Sequence, residues 1–236
     1  MAEIEGAIFG LRRVKVLQGL TDDALARVAR VCTWRRYEAG KTVITRSSPN
    51  RDLFMVASGR VRVTVYTASG RQVTFRDLAE GETVGEIAAI DGGPRSVDVV
   101  ALSEVLVAVM TPSDLNTLLQ ESPLVAEKFT RHLVQLIRLL TDTVIELSTL
   151  GVVNRIHADL LRLAIEAGAQ STGSCVLSPA PRHADIAARV STTREQVTRE
   201  ISALTKRGLL LKHPDGMLVS DLNALGCMVE RASRDA

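Results

Sequence analysis

The sequence is poor in aromatic residues and lacks a long, uninterrupted apolar run. Aromatic side chains make up 3% of the 236 residues, and the most apolar stretch, Val97–Met110, contains Asp98 and Glu104. A membrane-spanning helix needs about 18 or more consecutive apolar residues. The acidic start Met1–Gly6 also lacks the basic and apolar regions of a signal peptide. The sequence therefore predicts a cytoplasmic protein with no membrane partner.

Cysteine and histidine are too few and too scattered to predict a metal centre or an enzyme. The chain has three widely separated cysteines: Cys32, Cys175 and Cys227. Their spacing fits neither a disulfide framework nor a zinc or iron–sulfur site. His157, His183 and His213 have no evident acid–base partner, and the sequence contains no nucleophile elbow or P-loop. We therefore expect no metal and no catalytic activity.

The first part of the chain contains short β-branched segments separated by glycines, a pattern typical of an antiparallel roll or barrel. The segments are Leu53–Ala57, Val61–Thr67, Arg71–Leu78, Val97–Leu102 and Val105–Met110. From position 61 to 66 valine alternates with polar residues, which predicts a half-buried strand. Ahead of the strands, a helix is predicted over Thr21–Ala29, with Thr21 as its cap.

Between Pro123 and Leu150 the apolar period becomes that of one long helix. Its apolar positions follow alternating spacings of four and three residues, with one polar member: Phe129, Leu133, Leu136, Leu140, Thr143, Leu147 and Leu150. Three such heptads predict a two-stranded coiled coil and hence a homodimer. The alternative is a helix that packs against its own core.

After this helix the pattern is helix, turn, helix and hairpin. A short helix is predicted over Arg182–Val190 and a longer one over Thr193–Arg207, followed by a turn at Pro214–Gly216 between two short strands. This order is typical of a winged helix-turn-helix. The stretch Arg182–His213 has seven basic residues against three acidic ones, which suits a phosphate-backbone partner.

The segment Gly85–Ser96 combines groups that suit a ligand with both phosphate and ribose. Gly85 permits a sharp turn into a short helix, whose free N–H groups can receive an anion. Arg95 offers a guanidinium matched to phosphate oxygens, and Ser96 adds a hydroxyl donor. Glu86 only accepts hydrogen bonds and therefore suits a sugar hydroxyl. The alternative is an ordinary surface arginine in a turn.

The motif Gly-Glu-Ile-Ala…Pro-Arg-Ser resembles the phosphate-binding cassette of cyclic-nucleotide-binding domains. The resemblance implies that Glu86 holds the ribose 2′-hydroxyl and that Arg95 and Ser96 hold the cyclic phosphate. It also implies backbone contacts from Gly85, Ile87 and Ala88. The nine-residue spacing from glutamate to arginine is similar to that of the kinase and channel members.

The part of the site that would contact the base departs from the pattern of the bacterial cyclic AMP receptors. In that family two adjacent hydroxyl residues on the long helix contact the adenine, and the corresponding residues here are Leu140 and Thr141. Thr143 or Asp142 could serve in place of Leu140. The resemblance implies a cyclic nucleotide as allosteric ligand, with cyclic AMP favoured and cyclic GMP as the alternative.

The longer helix of the predicted turn motif presents a polar arc. Arg194, Glu195, Thr198 and Arg199 lie side by side at about 100° per residue. Arginine pairs with guanine and glutamate accepts from cytosine, so this face could enter a major groove. The alternative is a solvated face with an intrahelical pair between Glu195 and Arg199.

Arg-Glu-x-Val-x-Arg resembles the recognition helix of the CRP/FNR family of transcription regulators, and the order of the predicted domains is similar too. The resemblance implies a TGTGA-like palindrome in double-stranded DNA, with Arg194 and Arg199 on guanine and Glu195 on cytosine. It assigns phosphate contacts to Arg182, His183, Thr192, Thr193 and Lys212. It further implies a homodimer, RNA polymerase as partner, and recognition helices that reorient when nucleotide binds.

The resemblance predicts an α+β fold in three parts: a cyclic-nucleotide-binding β-roll over 1–122, a dimerisation helix over 123–150 and a winged helix-turn-helix over 151–236. The alternatives are a redox or haem sensor and a regulator without effector. A redox or haem sensor needs clustered cysteines or axial ligands, and His132 on the long helix is expected to be solvated instead. The presence of Glu86, Arg95 and Ser96 argues against a regulator that binds no effector.

Overall fold

A computed structural model describes residues 2–169 and 173–234 of the chain. The chain divides into two compact units, Met1–Ile137 and Arg138–Ala236. The boundary falls within the long helix, which the sequence analysis treated as a segment of its own. Among the described residues no helix is long and apolar enough to cross a bilayer. The same part of the chain contains no cluster of three or more side chains able to hold a metal.

The first unit consists of two antiparallel sheets with helices before, between and after their strands. Its elements are α1 (Ala2–Arg12), a 3-10 turn (Lys15–Leu17), α2 (Asp22–Val31), β1 (Thr33–Tyr37), β2 (Thr42–Ile44), β3 (Leu53–Ser58), β4 (Arg60–Tyr66), β5 (Gln72–Ala79), β6 (Thr83–Val84), α3 (Glu86–Asp91), β7 (Asp98–Ala101), β8 (Val105–Met110), α4 (Pro112–Glu121) and α5 (Pro123–Thr149), whose last turns lie in the second unit.

The strand orders are β1-β8-β3-β6 in one sheet and β2-β7-β4-β5 in the other. Phe54, Val61 and Val99 belong to a buried cluster contributed by both sheets. Helix α2 begins as predicted, because the Thr21 side chain accepts a hydrogen bond from the Ala24 backbone N–H. The predicted antiparallel roll is confirmed.

The predicted alternation of strand β4 is wrong in one respect. Arg62 and Thr64 are buried, at 6% and 0% exposure, although the pattern placed polar residues toward solvent. Arg62 lies opposite Asp77 on β5 and donates to both of its carboxylate oxygens, at 2.7 and 2.8 Å. Thr64 donates to the carbonyl of Val73. Burial is tolerated because each polar group has a partner.

Helix α5 also differs from its prediction, although its extent is confirmed. Phe129 of the predicted dimer seam is 2% exposed and belongs to the core of the first unit, and Leu133 packs against that core. The most exposed apolar side chains of α5 are Ile137 and Val144, both at 62%. The alternative interpretation, a helix lying on its own core, therefore holds for the first half of the seam.

The second unit is the predicted winged helix-turn-helix. After the end of α5 its elements are α6 (Val152–Glu166), β9 (Cys175–Leu177), α7 (His183–Arg189), α8 (Arg194–Lys206), β10 (Leu210–His213), β11 (Gly216–Val219) and α9 (Leu222–Arg234). The hairpin β10–β11 pairs with β9 to complete a three-stranded sheet. Ile156 of α6, Ile186 of α7 and Val197 of α8 meet in the buried core.

Candidate functional site

The turn into helix α3 requires glycine. Gly85 has a φ of +94°, a conformation that side chains with a Cβ rarely adopt. A Cβ at this position would lie 2.5 Å from Nη1 of Arg95 and 2.8 Å from the carbonyl oxygen of Asp52. The backbone can therefore approach the arginine closely only because residue 85 has no side chain.

Arg95 is a buried cation at 5% exposure. Its Nη2 donates to Oδ1 of Asn50 at 2.9 Å and to the carbonyl of Asp52 at 2.7 Å, and Nη1 donates to the carbonyl of Gly85 at 3.3 Å. Its guanidinium also lies over the ring of Phe54, 5.6 Å from the centroid. The buried Nε has no hydrogen-bond partner.

The acceptors around Arg95 are neutral oxygens, which leaves its charge available to an anion. Burial lowers the pKa of Arg95, the charge of Asp52 opposes that shift, and the nearby Arg51 cation adds to it. An arginine nevertheless stays protonated in a protein. A buried guanidinium with an unsatisfied N–H fits a phosphate oxygen, which would supply the missing acceptor and an anion in direct contact.

Glu86 lies beside this arginine at the start of α3 and is 3% exposed. Its Oε1 accepts a hydrogen bond from the Thr83 hydroxyl at 2.6 Å and lies 2.9 Å from Nε2 of His132. The expectation of a solvated His132 is wrong, because its side chain is 16% exposed and contacts the glutamate. Phe129 is on the buried face of α5, and a residue three positions later lies on the same face.

Glu86 is ionised at neutral pH. Burial acts to raise the pKa of its carboxyl group, but hydrogen bonds from His132, Thr83 and its own backbone N–H, together with the charge interaction with His132, hold the pKa below its usual value. An ionised carboxylate accepts hydrogen bonds and donates none. It therefore suits a hydroxyl group of a ligand and repels a phosphate, whereas Arg95 has the opposite preference.

The other residues predicted for the ligand site are placed as follows. Ser96 is exposed, Ile87 is 46% exposed, and Ala88 is buried. Leu140 and Thr141 are exposed residues of α5 and belong to the second unit. The first unit therefore brings together Gly85, Glu86 and Arg95.

Two residues of this site, Asn50 and Asp52, were not predicted from the sequence. They precede the buried strand β3 in a polar loop, and their partner Arg95 follows them by more than 40 residues. Contacts between residues so far apart in sequence leave no periodic pattern from which they could be predicted. Arg51 of the same loop donates to the carbonyls of Ser48, Pro49 and Gly92, so the loop is tied to the turn that follows α3.

Helix α8 presents the predicted polar arc on its exposed side. The Thr193 side chain caps the helix by accepting from the Gln196 backbone N–H at 3.3 Å. The four residues of the arc are exposed: Arg194, Glu195, Thr198 and Arg199. Val197 is fully buried on the opposite side. Among the residues that the structure describes, no ion pair joins Glu195 to Arg199.

Glu195 is charged at neutral pH. The pKa of its carboxyl group lies below the usual value because the carboxylate accepts hydrogen bonds from its own backbone N–H and from the Thr193 hydroxyl. The cations of Arg194 and Arg199 add a favourable charge interaction. The exposed tip of α8 thus offers an acceptor between two donors, a set that can distinguish base edges in a major groove.

The residues predicted to contact DNA phosphate differ in their exposure and in their hydrogen-bond partners. Arg182 is exposed and pairs with Asp185 at 3.1 Å. His183 lies 2.8 Å from the Thr198 hydroxyl, which itself donates to the carbonyl of Arg194. Thr192 is 8% exposed and its hydroxyl donates to Gln196. Thr192 therefore stabilises the turn between α7 and α8.

Lys212, the last of these residues, is exposed on β10 of the hairpin.

Two buried pairs that the sequence analysis did not predict hold the helices of the second unit together. Asp159 of α6 is 1% exposed and accepts from Nε and Nη2 of Arg189 on α7, both at 2.9 Å. His157 of α6 is 2% exposed, and its Nε2 lies 2.7 Å from Oε1 of Glu200 on α8. These pairs fix α7 and α8 on α6, which orients the exposed arc.

Two family models match the chain, and one lies within each unit. The model described as a cyclic nucleotide-binding domain matches residues 34–122, and the model described as a Crp-like helix-turn-helix domain matches residues 154–228. The first span contains the whole Gly85–Ser96 segment, and the second contains α7 and α8.

Two relatives match most of the chain. The chain is 31% identical over 183 residues to the cyclic AMP receptor protein of Thermus thermophilus, covering 76% of this chain and 80% of the relative. It is 25% identical over 215 residues to a CRP-like cAMP-activated global transcriptional regulator of Mycobacterium tuberculosis, covering 91% and 96%.

Among solved structures, the c-di-GMP responsive global regulator CLP of Xanthomonas campestris has the same fold. Its TM-score is 0.73 at 23% identity, covering 85% of this chain and 99% of that one.

Proposed function

The chain belongs to the CRP family of cyclic-nucleotide-responsive transcription regulators, and on that basis we propose that Arg95, Ser96 and Glu86 bind a 3′,5′-cyclic nucleotide. Members of this family are transcription regulators and not enzymes. The observation that carries the proposal is the buried guanidinium of Arg95, whose Nε has no partner, next to an ionised Glu86.

The two ends of the ligand are assigned by charge. The cyclic phosphate has one negative charge, so it lies at Arg95 and accepts hydrogen bonds from Nε and from the exposed Ser96 hydroxyl. The ribose 2′-hydroxyl donates to the Glu86 carboxylate. The reversed orientation would bring phosphate and carboxylate together in a buried site, which costs several kcal/mol.

The base end of the pocket matches the family pattern less fully than the phosphate and ribose ends. Leu140 and Thr141 are the residues of α5 that the family pattern places against it, and only the second of them has a hydroxyl. Cyclic AMP is our proposed ligand because the bacterial relatives are named for it. Calorimetric titration with cyclic AMP and cyclic GMP side by side tests this proposal, which fails if cyclic AMP does not bind.

We propose that a second copy of the chain covers the exposed apolar side of α5. Positions 130, 134, 137, 141 and 144 follow alternating spacings of four and three residues, and three of them are exposed apolar residues: Val134, Ile137 and Val144. A shallow groove between Ala126 and Val134 continues the same side of the helix. Dimerisation through this face replaces the seam predicted from Phe129 onward. Sedimentation analysis tests the dimer.

For DNA we propose that α8 enters the major groove and reads a TGTGA-like half-site. Glu195 accepts from cytosine, and Arg194 and Arg199 donate to guanine. Phosphate contacts come from Arg182, His183 and Lys212 at the edges of this surface. Two recognition helices in a dimer would then require half-sites about 34 Å apart. Binding to duplexes with altered half-site spacing tests this arrangement.

The proposed mechanism couples the two ligands. Nucleotide held at Arg95 contacts α5, the helix that continues from the first unit into the second, and its binding favours the arrangement of the dimer in which both recognition helices fit the palindrome. Such coupling is reciprocal, so DNA must also tighten nucleotide binding. We further propose that the protein acts in the cytoplasm, where it contacts RNA polymerase at its promoters.

A further inference from the structure

Helix α5 contributes one polar side chain to the ribose end of the proposed pocket. The Nε2 atom of His132 lies 2.9 Å from Oε1 of Glu86 and 3.2 Å from Oγ1 of Thr83, and those two oxygens are 2.6 Å apart. Thr83 and Glu86 are buried at 1% and 3% exposure. These three side chains form a closed triangle of polar atoms, contributed by β6, α3 and α5.

The hydrogens in this triangle can be assigned from the chemistry of its members. An ionised Glu86 donates nothing, and the Thr83 hydroxyl gives its single hydrogen to Glu86. A contact between His132 Nε2 and these oxygens is therefore favourable only if Nε2 carries a hydrogen. His132 thus donates to Oε1 of Glu86, as does Thr83.

Two hydrogen-bond donors on Oε1 leave the other oxygen of the Glu86 carboxylate to accept from a ligand. Each carboxylate oxygen offers two lone-pair positions, so Thr83 and His132 together occupy those of Oε1. We propose that His132 is a positioning residue for ribose recognition, which fixes Glu86 so that its other oxygen accepts the 2′-hydroxyl of the nucleotide. This inference rests on the proposed function of the pocket and adds a residue to it.

The surroundings of His132 suit such a role because they restrict its ring. The Phe129 and His132 rings pack in an edge-to-face arrangement, with 6.4 Å between ring centroids and planes at 61°. Phe129 itself is buried in the core of the first unit. A donor held in this way orients its acceptor without losing further side-chain freedom when the ligand binds. His132 also connects the ribose directly to the long helix.

The test compares cyclic AMP with 2′-deoxy cyclic AMP, which lacks the hydroxyl group. Calorimetry gives the dissociation constants of both for the full chain and for His132→Ala, His132→Gln and the control Gln135→Ala, an exposed residue on the same helix. A hydrogen bond to a charged group changes affinity by about 10-fold to 100-fold, so the unaltered protein should prefer the ribonucleotide by that factor.

His132→Ala should reduce this preference by about fivefold or more while leaving the affinity for the deoxynucleotide nearly unchanged, since His132 acts on the ribose only through Glu86. His132→Gln retains an N–H group and should restore part of the preference, and Gln135→Ala should keep all of it. A general folding defect would instead weaken both nucleotides in proportion.

An unchanged preference in His132→Ala overturns the inference, as does a proportional loss for both ligands in His132→Gln. If the unaltered chain binds neither nucleotide, the proposed function itself fails and the inference fails with it. If it binds both equally, the assignment of Glu86 to the ribose is overturned together with the role of His132.

Discussion

Replacing Arg95 with glutamine removes the charge on which the proposed pocket depends and keeps an amide donor. In the free protein the Nη atoms of the guanidinium donate to Asn50 and to two carbonyls, whereas the buried Nε has no partner and is the donor assigned to the phosphate. One charge-assisted hydrogen bond to phosphate contributes about 1.5–3 kcal/mol, and loss of the charge that faces the phosphate places the net loss near the upper limit. A loss of about 3 kcal/mol corresponds to roughly 150-fold weaker binding.

The assay is calorimetric titration with cyclic AMP, with the melting temperature of each ligand-free variant as the measure of folding. Arg95→Lys keeps the charge but loses the planar fork, so its binding should weaken by about tenfold or more. The matched control is Arg35→Gln, which removes an exposed arginine of β1 outside the proposed pocket and should leave affinity unchanged. The reasoning is refuted if a folded Arg95→Gln variant binds within about fivefold of the unaltered chain.

Three further outcomes are expected. Glu195→Ala should reduce the preference of the protein for cytosine at the contacted half-site position by about 1–3 kcal/mol, measured by competition between duplexes. Its affinity for the cyclic nucleotide should not change. Ile137→Arg should convert the dimer to a monomer in sedimentation analysis, whereas Gln135→Arg should not. Ile137→Arg loses the burial of one isoleucine from each protomer in the proposed interface, at about 1.5–3 kcal/mol each. Asp77→Ala should lower the free energy of unfolding by about 3 kcal/mol in a denaturant titration, because Arg62 then lies buried without its carboxylate. A loss below about 1 kcal/mol would contradict the importance of that pair.

The order of elements was predictable because each has a strong local pattern. The Thr21 cap, the 27-residue helix α5 and the hairpin around Asp215 are confirmed within a residue or two. These features depend on residues that are neighbours in sequence, so periodicity and turn chemistry reveal them. The glycine at position 85 was likewise expected from its place before a short helix.

What the sequence could not reveal depends on partners that are distant in the chain. Arg62 looked like the solvated residue of an alternating strand, and only the facing Asp77 explains its burial. His132 looked solvated because its partner Glu86 lies 46 residues earlier. The period of α5 predicted a dimer seam from Phe129 onward, and it could not show that Phe129 is buried in the core of the first unit.

The most direct test of the account measures the affinity of the chain for a TGTGA-like palindromic duplex, by fluorescence anisotropy at one fixed salt concentration, with and without saturating cyclic AMP. Salt must be fixed because phosphate contacts make DNA affinity strongly dependent on it. The account predicts that the nucleotide tightens DNA binding by about tenfold or more and that the duplex tightens nucleotide binding by the same factor. An unchanged DNA affinity at saturating nucleotide would contradict it.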